Sequence, residues 1–196
     1  MSRTYRLVVS CPDRIGIVAA VSGFLAEHGA WILEASQHSD AAKGWFFMRY
    51  EIRADSLPFD IEALRQAFTA IAERFDMNWQ INDTDKPKQV VLMASRLDHC
   101  LSDLLHRWRS IIGARPYHKA FERGVKLVGA TCHYVTEELD AGPIIEQDVV
   151  RVSHDDDIDD LVRLGRDVEK LVLARGLRYH LEDRVLIHDN KTVVVN

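Results

Sequence analysis

The sequence predicts an α/β protein in two parts: an α+β unit in the ferredoxin-like order, then an incomplete doubly wound unit. Three observations predict it. Across the first 82 residues, short β-branched stretches of alternating apolar residues and longer stretches with apolar spacings of three and four succeed one another as strand, helix, strand, strand, helix, strand. A nearly continuous apolar run, QVVLMAS, opens at residue 89 and has the character of a parallel strand buried on both faces. Between them NDTDKPK is polar, carries a proline and has no apolar period, which marks a linker.

Residues 5–10 alternate and form the first strand. Cys11, Pro12 and Asp13 make a turn, and Asp13 is the expected N-cap of a helix in which Ile17, Val18, Val21, Phe24, Leu25 and His28 fall at helical spacing; Gly29 stops it. Residues 31–38 and 45–52 read as two strands joined by a short polar stretch. Pro58 opens a second helix, in which Ile61, Leu64, Phe68, Ile71 and Phe75 face inward, and residues 77–81 close the unit. The division is therefore 1–82, a linker at 83–88, and 89–196. In the second part residues 89–95 and 97–109 read as a strand and helix, 125–134 and 143–152 as strands, and 158–181 as a long amphipathic helix. Ser153 and Asp156 resemble its capping box, and 185–188 and 192–195 are terminal extended segments.

A hydrophobic fraction of 47% and a charged fraction of 28% belong to an ordinary folded domain. The formal charge of -5 and pI near 6.0 argue against a nucleic-acid partner and for a small molecule. Cys11, Cys100 and Cys132 show neither CxxC spacing nor a disulfide framework, so they read as reduced thiols, and no metal site is expected. No segment has a signal-peptide apolar core or the run of about 20 apolar residues that spanning needs. No membrane partner is expected, and a cytoplasmic location is.

Residues 8–18, VVSCPDRIGIV, look like the opening of an ACT domain, a small regulatory fold that often binds amino acids. Three further stretches are sharper: IGARPYH at 112–118, ERGVKLVGAT at 122–131 and HYVTEELDAGPII at 133–145. They resemble the C-terminal half of the formyltransferase fold, and GRDVE at 165–169 continues the match. An ACT domain ahead of a Rossmann-like formyltransferase domain is the arrangement of formyltetrahydrofolate deformylases. The resemblance implies hydrolysis of 10-formyltetrahydrofolate to formate and tetrahydrofolate, with no cofactor besides this folate substrate, and a homo-oligomer joined through its ACT domains.

One element of that family is not in the sequence. Its Asn-x-His-x-Ser-x-Leu-Pro motif precedes the Gly-Ala-x-Pro-Tyr loop, but Asn78, Asn82, Asn190 and Asn196 are not followed by a His at that spacing. The helix through Trp108 and Arg109 runs almost directly into Gly113, so central βα units amounting to roughly 80 residues are absent, at about 30 residues per βαβ unit, between about 110 and 112. Two readings stay open: a chain with this deletion, or a sequence from which the segment has been left out. Stripping central strands from a parallel sheet would expose the faces of their neighbours, which favours the second.

Deformylation needs a donor for the oxyanion, a base for the attacking water and an acid for the leaving nitrogen. The resemblance implies that the absent Asn and His stabilise the oxyanion and shuttle the proton, and that Asp140 orients the water and tunes that His. It implies that Thr136, Glu137, Glu138, Leu139, Gly142 and Pro143 line the folate pocket, with His133 on the strand that leads into the loop. Taken without it, Asp140 caps a turn, His133 is packed or solvated, and Glu137 and Glu138 are surface charges. Asp13, Arg14 and Gly16, where the first strand hands over to a helix, are the candidate effector site: free amides at a helix start can hold an amino-acid carboxylate, and a glycine lets it approach. The same residues also read as an ordinary cap and tight turn. Two rival functions accompany the deformylase: an amino-acid-binding ACT module with a catalytically dead second domain, and a folate-dependent formyltransferase acting on an amine.

Overall fold

The computed structural model describes residues 3–86, 88, 117–138 and 141–195. The strand and helix expected over 89–109, the splice between 110 and 112, Cys100, Leu139 and Asp140 all lie outside the described residues. The chain divides into two compact units, one of Met1–Lys88 with Asp183–His188 and Val193–Asn196, the other of Gln89–Glu182 with Asp189–Thr192.

In the first unit β1 (Thr4–Pro12), β2 (Ile32–Asp40), β3 (Trp45–Arg53) and β4 (Asn78–Asp83) form one sheet in the order β2-β3-β1-β4, antiparallel throughout. Alternation along β1 sends Tyr5, Leu7, Val9 and Cys11 to one face, where Phe46, Met48, Tyr50 and Ile52 of β3 join them. Helices α1 (Ile17–Glu27) and α2 (Ile61–Arg74) cover that face with Ile17, Val21, Phe24 and Leu25, and with Ile61, Leu64, Phe68 and Ala72. Phe24 meets Phe68 edge-on at 5.6 Å, locking the two helices in register. This is the ferredoxin-like arrangement expected from the order of patterns.

Both helix starts differ from expectation. α1 is capped by Gly16, at φ 96, and not by Asp13; the left-handed backbone there suits glycine, and it carries the chain through one further turn before helix begins. α2 begins at Ile61, because Asp60 accepts from the Ala63 amide at 2.9 Å, and Pro58 stays in the turn ahead of it.

The opposite sheet face is also covered. Val8 and Phe47 are buried there with Leu186 and Val195, and Trp45 and Val193 pack half-buried around them. The C-terminal strands β7 (Val185–His188) and β8 (Lys191–Val194) pair with each other. Residues 183–188 and 193–196 thus fold with the first unit, whereas their place in the sequence suggests the second. Their apolar side chains find the sheet face that α1 and α2 leave open, a partnership no local pattern reports. The expected linker also starts late. Asp83 ends β4, its side chain only 2% exposed, and takes two bonds from Arg3, at 2.6 and 3.1 Å.

The hydrogen bonds from Arg3 hold the Asp83 carboxyl below the ordinary carboxylate range, against the opposing effect of burial. A depressed folded pKa contributes stability above the unfolded value, about 3.9 for Asp, and loses it as pH falls through the lower folded value. Thermal stability of the intact chain is therefore expected to fall off more steeply below about pH 4 than that of Asp83→Asn. Parallel melting profiles for the two proteins between about pH 5 and about pH 2.5, the carboxylate window, would remove this carboxylate from the account.

In the second unit α3 (Tyr117–Glu122) precedes an antiparallel pair, β5 (Leu127–His133) and β6 (Ile144–Arg151). The 24-residue α4 (Ile158–Leu181) has the bounds expected from its periodicity. Its capping box lies later in the chain than expected: Asp157 accepts from the Asp160 amide, and Asp160 reciprocates. Ser153 and Asp156 instead close the preceding turn, the Ser153 amide donating to Asp156 at 2.5 Å. Val128, Val152 and Leu161 form the buried centre of this unit.

Candidate functional site

The loop of residues 134–143 joins β5 to β6, and its geometry begins with its neck. β5 and β6 run in register from Leu127 opposite Arg151 to Cys132 opposite Glu146, then slip at His133. Beyond the slip the Tyr134 amide donates to the Pro143 carbonyl at 3.0 Å, so the loop leaves and returns at one place. Gly142 and Pro143 are buried at this neck. Gly142 must be glycine for want of space: an added Cβ would fall inside the Tyr134 carbonyl oxygen, 2.8 Å from its carbon and 3.2 Å from His133 Nδ1.

His133 is half-buried, and its Nδ1 lies 2.9 Å from the Tyr134 carbonyl. Thr136, Glu137 and Glu138 are exposed along the loop, and the Thr136 hydroxyl donates to the Glu138 carbonyl at 2.9 Å, an ordinary local turn bond. Three predicted pocket residues therefore share one exposed segment, and two others form its closed base; Leu139 and Asp140 complete it in sequence and lie outside the described residues.

The outer ends of the loop are held by residues that the sequence does not single out. Tyr134 Oη meets His180 Nδ1 of α4 at 3.0 Å, their rings edge-on at 5.8 Å. Asn190 Nδ2 donates to the Ala141 carbonyl at 2.9 Å, and the Thr192 hydroxyl donates to the Ile144 carbonyl. Nothing in the spacing of these residues signals the contacts, since Asn190 is 49 positions from Ala141.

Beneath the hairpin Cys132 packs on α4 at Gly176, where an added Cβ would lie 2.5 Å from Sγ. Burial, and then the nearby charge of Glu146, push the Cys132 thiol up to about 11. A thiol so placed stays protonated at neutral pH, in keeping with a packing role against α4. Among the described residues no three His, Cys, Asp or Glu side chains group as metal ligands, and no helix is long and apolar enough to cross a membrane.

The candidate effector residues in the first unit do not converge. The Asp13 carboxylate accepts from Ser39 and its amide donates to Gly44, while Arg14 pairs with Asp76 at 2.6 Å. Ile15 between them is fully exposed. Elsewhere in this unit a groove of about 230 Å³ lies along β1, β4 and β7, lined in part by Val8, Ser10, Gln80 and Leu186, and none of the effector candidates borders it.

Residues 5–73 match the ACT domain family and residues 102–177 the Formyl transferase family. The formyltetrahydrofolate deformylase of Synechocystis sp. is 36% identical over 278 aligned positions, covering 97% of this chain and 98% of that one. That of Bacillus subtilis is 35% identical, covering 97% and 93%. A crystal structure of a formyltetrahydrofolate deformylase from Pseudomonas syringae pv. tomato superimposes with a TM-score of 0.93 at 49% identity, covering 99% of this chain and 95% of that one. Because 97% of 196 residues is about 190, close to 90 of the 278 positions aligned to the Synechocystis protein face no residue here.

Proposed function

Because the chain belongs to the formyltetrahydrofolate deformylase family, we propose that it acts on 10-formyltetrahydrofolate, releasing formate and tetrahydrofolate through the loop between β5 and β6. The observation that carries the proposal is the loop itself: the sequence Leu-Asp-Ala-Gly-Pro falls in a segment whose hairpin neck only a glycine at 142 permits to close. In this reading Asp140 orients the attacking water, and Thr136, Glu137, Glu138 and Leu139 present the folate-facing edge. Gly142 and Pro143 fix its base, and His133 supports the neck. The formate released feeds one-carbon metabolism and purine biosynthesis in the cytoplasm. The ACT domain binds an amino acid and joins copies of the chain into a homo-oligomer; Asp13 and Arg14, engaged by Ser39 and by Asp76 respectively, serve the turn ahead of α1.

The chemistry is incomplete in one respect that sets its rate. Water adds to the formyl carbon, an oxyanion develops, and the nitrogen takes a proton as it leaves. Without the Asn-x-His pair the sequence offers no assigned oxyanion donor and no assigned proton shuttle. Loss of an oxyanion donor costs about 10² to 10³ in rate and loss of an acid or base about 10² to 10⁴, and the two need not multiply. Formate release by this chain is therefore expected to run at least about 10²-fold below that of a family member with the motif, and Asp140→Asn to abolish what remains. Turnover within tenfold of such a relative would show that the roles given to Asn and His are wrong. Formyl transfer to an added amine, at the expense of formate, would favour the transferase instead.

The missing motif also favours a second reading, an ACT module that senses an amino acid beside an inactive folate domain. Saturable binding of glycine or methionine with no formate release at any enzyme concentration is its signature.

A further inference from the structure

We propose that Asn190, together with Thr192 and His180, positions the substrate-bearing loop, residues 134–143 being that loop on the function proposed above: the turn after β7 and the last turn of α4 hold its two ends. Three side chains, one each from α4, the β7–β8 turn and β8, reach it at three separate points. His180 meets Tyr134 Oη where the loop begins, Asn190 donates to the Ala141 carbonyl where it ends, and Thr192 donates to the carbonyl of Ile144, the first residue of β6. Asp189, at φ 52, turns the chain from β7 into Asn190.

These contacts serve the loop more than the fold. Asn190 is exposed, so its amide competes with water and contributes little to global stability. Its consequence is local. The Ala141 carbonyl is bonded by a side chain, not by a strand partner, and the peptide so fixed lies one residue beyond position 140. A carboxylate that must aim a water at a formyl carbon tolerates little displacement, since misplacement by about 1 Å costs on the order of 10²-fold in rate. The Thr192 bond holds the other side of the same return, and the Tyr134–His180 pair prevents the outgoing side from pivoting.

The test compares the full chain with Asn190→Ala and Thr192→Val, the second nearly isosteric and so safe for folding. Hydrogen exchange over residues 134–144, the unfolding midpoint and the affinity for 5-formyltetrahydrofolate are measured on each. Loss of one such bond is expected to speed exchange there about three- to tenfold and to weaken folate binding by a similar factor, at an unchanged midpoint. Unchanged loop exchange in both variants overturns the proposal, and so does faster exchange spread through α4 and the β5–β6 pair, which would make these residues part of the core. Faster exchange confined to the loop, in a protein whose parent form binds no folate, supports the latch and overturns the substrate reading of the loop.

Discussion

Gly142→Ala is expected to destabilise the second unit by about 3 kcal/mol, the upper end for overpacking a tight site, and to open the neck of the loop. The size follows from what the methyl group meets. It lands on main chain, at the Tyr134 carbonyl, and not on the movable end of a side chain. Tyr134 cannot retreat cheaply, because its amide bonds to Pro143 and its hydroxyl to His180. The neighbouring His133 ring, 3.2 Å away, blocks sideways relief. Gly124 supplies the control: its positive φ strains any replacement, but an added Cβ meets nothing within 4 Å. Gly124→Ala is thus limited to the left-handed penalty of about 1 kcal/mol, with the neck intact. Urea unfolding and exchange of the Tyr134 amide distinguish the two. A Gly142→Ala protein within about 0.5 kcal/mol of the parent, with that amide still protected, would mean that the neck is not closed as described.

Much of this architecture is legible in the residues themselves. The order of six elements in the first unit follows from two periods, because strands and helices each bury one face and the residue types alternate accordingly. The bounds of α4 follow from apolar spacing that persists over 24 residues. The caps are harder. Asp13, Ser153 and Asp156 are all credible caps by type, and the chain uses Gly16, Asp157 and Asp160 nearby, since which residue stops being extended depends on a backbone angle and not on its side chain. The return of Leu186 and Val195 to Val8 and Phe47 is not legible at all: four apolar residues in short segments fit either unit, and only space decides. The same holds for the loop. Its sequence marks residues 133–143 as the place of chemistry through resemblance, whereas Asn190, Thr192 and His180 sit in segments that read as plain helix end and terminal strand.

The second large effect is expected at Arg49, on the sheet face opposite α1 and α2. Its side chain is 2% exposed, yet it carries a charge, and it reaches Glu34 at 2.6 Å and Glu51 at 2.8 Å. A buried cation is tolerable only where carboxylates and hydrogen bonds replace its lost hydration. Removing one member of such a group leaves the others desolvated, which typically costs roughly 3–5 kcal/mol for a buried pair. Here the low end applies, because Arg6 still lies 3.2 Å from Glu51 and Arg184 3.3 Å from Glu34. Arg49→Met, similar in length and apolar, is accordingly expected to destabilise the first unit by about 3 kcal/mol. Burial alone would push the Glu51 carboxyl up, but the hydrogen bond from Thr4 and the charges of Arg6 and Arg49 outweigh it and hold the group below its ordinary range. Without Arg49 that balance weakens, so the Glu51 carboxyl rises toward its ordinary range. A low folded pKa gives stability above the unfolded value, so the variant also loses part of the acid-sensitive component. Adding Glu51→Gln to Arg49→Met should then recover about 1 kcal/mol, since a carboxylate left beside Arg6 is replaced by a neutral amide. Arg49→Lys should recover less than the double variant, because one ammonium cannot present the two-pronged guanidinium to both carboxylates. Urea unfolding, read from exchange of the β1 and β3 amides, measures all three. A cost below about 0.5 kcal/mol for Arg49→Met would mean that the two glutamates are as well hydrated without the arginine as with it, and that this face of the sheet is held by Val8, Phe47, Leu186 and Val195 alone.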